Sequence, residues 1–344
     1  MGGRLTMAKI KRLFNDPYDI VEEMVEGYVG AHKQYVKMCD LDEAQGRVVL
    51  ANDAGTKDKV GVIIGGGSGH EPLFIGYVGE DFADAVVIGN INTSPSPDPC
   101  YAAAKACDNG KGCIYLYGNY AGDVMNFDMG AEKADEEDDI RVETVLVTDD
   151  VVSSENIPDR RGIAGDFFVF KVAGAKAATG ADLDEVVAAA QKANDNTRSM
   201  GVAMSSATLP AKGGTIFDME DGDMEIGMGI HGEPGIRRGK IDTADNVIDE
   251  IMEPILKDLP YVEGDEVYVL VNSLGATPLM DLHVCYRRVA QILEEKGIKV
   301  YKALVGPFAC SMDMAGMSVT LMKLDDELKE LMDAPCDTPY FTQK

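Results

Sequence analysis

The sequence predicts an α/β fold of two α/β domains, each a mixed or mostly parallel sheet flanked by helices. Apolar runs of strand length alternate with helical patterns along most of the chain, which is the mark of βαβ units. The 344 residues, 45% of them hydrophobic, suffice for two ordinary domains with real cores. A change of texture near 195–200, where Gly- and Met-rich sequence replaces regular alternation, divides the chain into an N-terminal domain (1–198) and a C-terminal domain (199–344) whose extreme end is expected to fold back on the first. No fixed-period repeat and no low-complexity linker intervenes, so the halves should pack directly.

Met7 followed by AKIKR reads as a natural start, and residues 1–6 are left out of the fold reasoning. A first helix is expected from Asp16–Pro17, because Asp caps free amides and Pro fits the first turn, with Ile20, Met24, Tyr28 and Tyr35 near one face. Strands are expected at 60–64, 84–91, 112–119 and 140–147, with a helix at 99–107 and a solvated loop or helix end at DEEDD (135–139). A helix at 183–194 precedes shorter apolar runs at 201–209, 213–219 and 224–230. A helix at 244–259, a strand run at 265–274, an amphipathic helix at 278–297 and a strand run at 300–306 restore the α/β pattern.

Lys and Arg number 32 against 59 Asp and Glu, a formal charge of -27, which argues against a surface that tracks nucleic acid or anionic membrane. Seven cysteines, an odd number with no CxxC spacing, read as reduced thiols. No apolar run of about 18 residues and no signal-peptide core is present, so a soluble cytoplasmic protein is expected.

Ligands of open α/β sheets sit beyond the carboxyl ends of strands, and four of the loops there carry chemistry. GGGSGHEP (65–72) can bring backbone N–H groups close to a ligand oxygen and presents His70, although a tight strand exit with an incidental His has the same look. NTSPSPDP (92–99) offers Thr93, Ser94 and Asp98, which are also ordinary cap residues. In GNYAGDVMNF (118–127), Asp123 is either a helix cap or a general base held in a cleft. GMGIHGEPGI (227–236) repeats the His–Glu–Pro setting around His231, whose neutral imidazole is a competent nucleophile toward a carbonyl carbon. His32 and His283 fall inside expected helices, where packing explains them.

GGGSGHEP, TSPSPD, GNYAGDVMNF, DRRGIAGDFFVFKVAGAKA (159–177), SSATLPA (205–211), EIGMGIHGEPGI (225–236), NSLGATPL (272–279) and SMDMAGMSVTLMKLDDELKELMDAP (311–335) together resemble the substrate-binding subunit of dihydroxyacetone kinase. The likeness runs in order from about Phe14 to the C-terminus. It implies that His231 bonds covalently to the ketone carbon of dihydroxyacetone as a hemiaminal. It further implies that His70 acts as acid/base, that backbone around Gly67, Ser68 and Gly69 holds a hydroxyl, and that Asp123 orients and deprotonates the hydroxyl to be phosphorylated. Ser94 and Gly118 complete the implied substrate contacts. Family members that use dihydroxyacetone often carry Lys where this chain has Gly118, and losing that cation suggests a larger, four-carbon ketose instead of or besides the triose.

No Walker loop or kinase-type catalytic loop is found. The aspartates of FDMEDGDME (217–225) read as a solvated hairpin end, not a metal cluster. No cofactor or metal is therefore expected in this chain. The resemblance assigns ATP/ADP and Mg to a separate helical nucleotide-binding (DhaL-type) subunit, recharged by a phosphotransferase-system phosphoryl donor or by free ATP, and implies a homodimer. The chain ends directly after the last matching motif, so it is expected to need that partner for kinase activity. The alternative is a ketose-sensing transcriptional co-activator on the same scaffold, which would keep His231 without needing Asp123.

Overall fold

The first sheet of the computed structural model, which describes residues 12–344, has the order β1-β2-β4-β3-β5-β6. The proposed start at Met7 lies outside the described residues. Strands β3 (Gly61–Ser68), β4 (Ala85–Ile91), β5 (Cys113–Gly118) and β6 (Val142–Val147) run parallel, while β1 (Val36–Met38) and β2 (Val48–Ala51) extend the β4 edge antiparallel. Every residue of β3 and β5 is buried, which is why these strands read as unbroken apolar or glycine runs and not as alternating ones. The helices α2 (Pro97–Cys107), α3 (Ala121–Asp138), α4 (Asp166–Ala178) and α5 (Leu183–Asp195) pack on this sheet, α2 against α3 and α4 against α5.

The second sheet has the order β11-β10-β7-β14-β12-β13. It begins at β7 (Thr197–Ala203) and, after a separate two-stranded hairpin of β8 (Thr208–Leu209) and β9 (Gly214–Thr215), continues through β10 (Asp223–Ile226), β11 (Arg237–Lys240), β12 (Glu266–Ser273), β13 (Lys299–Gly306) and β14 (Gly316–Leu324). Only β12 and β13 pair in parallel, so this sheet is mixed and largely antiparallel. Its apolar side is covered by α6 (Ala244–Asp258) and α7 (Leu279–Glu295), which contribute Ile251, Ile255, Val289 and Leu293 to the second core. Helix α8 (Asp326–Asp333) then returns to α4, where the buried Lys171 ammonium donates to the carbonyls of Leu331 and Ala334 at 3.1 and 2.9 Å. Those carbonyls end a helix, so the cation also meets the negative pole of α8. Among the described residues no helix is long and apolar enough to cross a membrane.

Several elements depart from expectation. Helix α1 spans Ile20–Ala31 and not the stretch from Asp16–Pro17, because Asp16 accepts the Tyr18 N–H at 2.9 Å in a local turn that competes with the helix. Tyr35 consequently lies beyond its end. DEEDD is a helix end, since α3 runs to Asp138. Strands β1, β2, β11 and β14 and helix α8 had no counterpart in the elements read from the sequence, nor had α3, where GNYAGDVMNF was read as a loop, or the almost fully buried α4. A helix apolar on all sides has no amphipathic period to detect. All seven cysteines are free and six are buried.

Candidate active site

Strand β3 ends in the glycine loop, and its close approach to the loop after β4 depends on glycine: a Cβ on Gly67 would sit 2.7 Å from the Thr93 nitrogen. His70 leaves this loop buried, 1% exposed, with Nδ1 2.8 Å from the Cys310 carbonyl oxygen. A carbonyl can only accept, so Nδ1 carries the proton and Nε2 faces the cavity with its lone pair. The segment around Cys310 holds the loop at two further points, through Cys310 N–H to the His70 carbonyl and Met312 N–H to the Gly69 carbonyl.

His231 arrives from the loop after β10, and the Ser311 hydroxyl anchors that loop on the Ile230 carbonyl. One short segment after β13 therefore clamps both histidine loops. The two Nε2 atoms lie 2.9 Å apart. The His231 side chain is 22% exposed, so it is the ring a ligand can reach. Its Nδ1 lies 3.2 Å from Glu233 Oε1, and its backbone N–H donates to Glu233 Oε2 at 3.1 Å. Burial opposes ionisation of Glu233, but the hydrogen bond and charge of His231, with Arg161 beyond, hold it down to about 2. Arg161 is itself fixed by Asp150 at 2.7 Å. Burial, then the charge of His231, pushes His70 down to about 3, so His70 is neutral near pH 7. The Tyr120 ring stands edge-on to His231 with centroids 4.6 Å apart, and its hydroxyl donates to the Gly162 carbonyl at 3.1 Å.

Asp123 lies in the first turn of α3. Its Oδ1 is buried without a hydrogen-bond partner. Burial raises it to about 6, opposed by contact with the Ser94 hydroxyl and the nearness of His231. Asp166, at the start of α4, is 1% exposed and likewise has a partnerless buried Oδ1. Burial, then the charges of Asp149 and Asp123, drives it well above the usual carboxylate range.

His70, His231, Asp123 and Asp166 line one cavity with Gly67, Gly118 and Tyr120. A reachable imidazole beside a poised carboxyl can engage a small carbonyl compound and manage its protons. Of the residues singled out in the sequence, His70, His231, Asp123, Gly67 and Gly118 meet here. Three do not line the cavity. The Ser68 hydroxyl is spent on the Gly89 carbonyl at 2.7 Å, and the Gly69 N–H donates to Glu71 at 3.0 Å. Ser94 stands behind Asp123, bonded to Asn126 at 3.2 Å. The twin His–Glu–Pro settings also differ in use: Glu233 holds its histidine, whereas Glu71 holds a backbone amide. Sequence reading overlooked Asp166, Arg161 and the Cys310 segment. Asp166 stood inside a quoted motif, but as a helix-start Asp it carried no separate signal.

A Dak1 domain matches residues 26–340. The chain is 61% identical over 332 residues, covering 96% of it and 99% of the relative, to the PTS-dependent dihydroxyacetone kinase 2, dihydroxyacetone-binding subunit DhaK of Listeria innocua. It is 43% identical to the L-erythrulose 1-kinase of Mycolicibacterium smegmatis, over 96% of this chain and 57% of that one. The dihydroxyacetone kinase of C. freundii, solved with AMP-PNP and Mg2+, superposes with a TM-score of 0.87 at 31% identity, over 97% of this chain and 61% of that chain. The chain belongs to the Dak1 family and is a substrate-binding (DhaK-type) subunit of a dihydroxyacetone-type kinase.

Proposed function

We propose that this chain binds a short-chain ketose, dihydroxyacetone or a four-carbon relative, as a covalent adduct of His231 and offers its terminal hydroxyl for phosphorylation. The observation that carries this reading is the opposed pair of histidine Nε2 atoms at 2.9 Å in the cavity that also holds Asp123. Glu233 keeps the His231 Nδ1–H in place, and Nε2 becomes the nucleophile as the proton it shares with His70 passes to the His70 Nε2. As Nε2 bonds to the carbonyl carbon, the C=O π pair moves to oxygen. That oxygen takes the proton from the His70 Nε2, giving a hemiaminal with His70 neutral again and the positive charge on the substituted His231 ring. A polyol without a carbonyl cannot form this bond, which supplies selectivity against glycerol.

Asp123, with a carboxyl raised to about 6, suits a base that accepts the proton of the terminal hydroxyl during in-line transfer. The phosphoryl group would come from a nucleotide held with Mg on a separate helical subunit. The Listeria relative is named PTS-dependent, which favours a phosphotransferase-system donor over free ATP. Among the described residues no three His, Cys, Asp or Glu side chains come together as a metal site. A homodimer in the cytoplasm is the setting we propose for it.

The test is reconstitution with a helical DhaL-type partner, supplying ATP and phosphoenolpyruvate-driven phosphotransfer in turn, over dihydroxyacetone, erythrulose and short aldoses. Phosphorylated ketose with one donor is the expected result. Ketose binding without turnover under either donor would instead favour a ketose-sensing co-activator.

A further inference from the structure

Asp166 is the one buried acid of the cavity for which the chemistry above has no use. It occupies the first position of α4, directly after the N-cap Gly165, which has no side chain to cap the helix. Among the described residues neither a lysine nor an arginine pairs with it, and its Oδ1 has no hydrogen-bond partner. Its position is nevertheless specific. A Cβ on Gly162 would lie 3.0 Å from Asp166 Oδ1 and 2.4 Å from Gly118 Cα, so the carboxyl adjoins the tightly packed glycine pair at the Gly118 end of the cavity. Burying an unpaired carboxyl costs stability, and a fold keeps such a group where a ligand completes it.

We propose that Asp166 is a substrate-recognition residue that hydrogen-bonds a hydroxyl on the arm of the ketose that is not phosphorylated. This rests on the ketose reading of the site. A neutral carboxyl has one O–H to give and a carbonyl oxygen to accept with, matching the two roles of an alcohol hydroxyl. Burial and the neighbouring charges of Asp149 and Asp123 keep it in that neutral form. Asp149 itself is occupied by the N–H groups of Ile163 and Gly165, both at 2.8 Å, and remains apart from the ligand. A site built around a hydroxyl rejects an analogue lacking it much more strongly than an apolar site rejects a missing methylene.

The experiment measures binding of dihydroxyacetone and of hydroxyacetone, which has a methyl group in place of one hydroxymethyl arm, to the full chain without its partner. Wild type should prefer dihydroxyacetone by about tenfold or more, and Asp166→Ala should erase that preference by weakening dihydroxyacetone alone. Asp166→Asn, which keeps a donor and an acceptor, should restore most of it. Asp166→Ala should also melt no lower than wild type, since it removes an unsatisfied buried group. A variant that loses both ligands equally and unfolds more easily would make Asp166 a structural residue and overturn the proposal, as would an unchanged preference. Should Asp166→Ala not fold, isotope-edited infrared spectra of wild type decide. The Asp166 carboxyl band should shift with dihydroxyacetone and not with hydroxyacetone, and a band unmoved by either overturns the assignment. Failure of wild type to bind any ketose would instead sink the functional reading itself.

Discussion

The Nε2 atoms of His70 and His231 face each other at 2.9 Å although both Nδ1 atoms are already committed, one to the Cys310 carbonyl and the other to Glu233. Two lone pairs cannot meet at that distance, so the contact is satisfied by a proton held between the rings. That is the proton a carbonyl oxygen needs when its carbon bonds to His231. Replacing His231 by Ala should abolish the covalent adduct seen by NMR of labelled dihydroxyacetone. An undiminished adduct in His231→Ala would falsify the hemiaminal.

Asp123 works as a base only when ionised, and its carboxyl is raised to about 6. With sign considered, phosphorylation should fall as pH drops through about 6, following protonation of one group, and level off above it. Asp123→Asn should leave ketose binding largely intact while cutting turnover by about 100-fold or more. Comparable turnover in the variant, with the acid limb unchanged, would reassign the base.

Gly118 closes one wall of the cavity. A Cβ there would meet the Gly162 carbonyl oxygen at 3.1 Å and the Tyr120 ring at 3.2 Å, so Gly118→Ala must push one of them and should cost about 1 kcal/mol of stability. If the missing side chain widens substrate choice, wild type should turn over erythrulose at least as well as dihydroxyacetone, and Gly118→Lys should shift preference to the triose. A strong triose preference in wild type would remove the idea.

Glu233 holds the His231 ring through Nδ1 and the backbone N–H. Glu233→Ala frees the ring to rotate and should slow adduct formation by at least about tenfold, as loss of a histidine-orienting carboxylate does elsewhere. Stopped-flow or mass-spectrometric adduct formation reads this directly. Equal rates in variant and wild type would show that Tyr120 and His70 alone set the ring.

Asp258, the last residue of α6, receives Arg160 at 2.6 Å and a shorter contact from Arg198, both arginines being about nine-tenths buried or more. Those hydrogen bonds hold its carboxyl below the usual range. Asp258→Ala strands two buried cations and should destabilise the fold by about 3 kcal/mol, read as a drop in the denaturant midpoint. Because the carboxyl is depressed in the folded state, the stability it adds is present at neutral pH and is lost as pH falls through its folded value. A midpoint within error of wild type would mean that water already satisfies both guanidinium groups.

Much of the architecture was legible because it is local. The runs at 84–91, 112–119 and 265–274 and the helices at 183–194 and 278–297 advertise themselves by apolar content and period, and they form β4, β5, β12, α5 and α7 close to the expected bounds. What escaped had no local signal: β1 and β2 are short edge additions, β14 is defined by its pairing with β7 and β12, α3 carries few apolar residues, and α4 is buried on every side.

The same division runs through the site. Sequence by itself determined that two histidines in glycine frames and an Asp in GNYAGD were available, because a reactive side chain in a flexible strand-exit loop is a property of neighbouring residues. Only the tertiary structure decided that residues 161 positions apart should meet at 2.9 Å, since that depends on a third segment, Cys310–Met312, which binds both loops through its backbone and Ser311. It also decided that Ser68, Gly69 and Ser94 are spent on the protein's own groups, and that Asp166 is left with an unmet hydrogen bond inside the cavity. Hydrogen-bond satisfaction is settled by every atom within reach of a group, and most of those atoms lie far away along the chain.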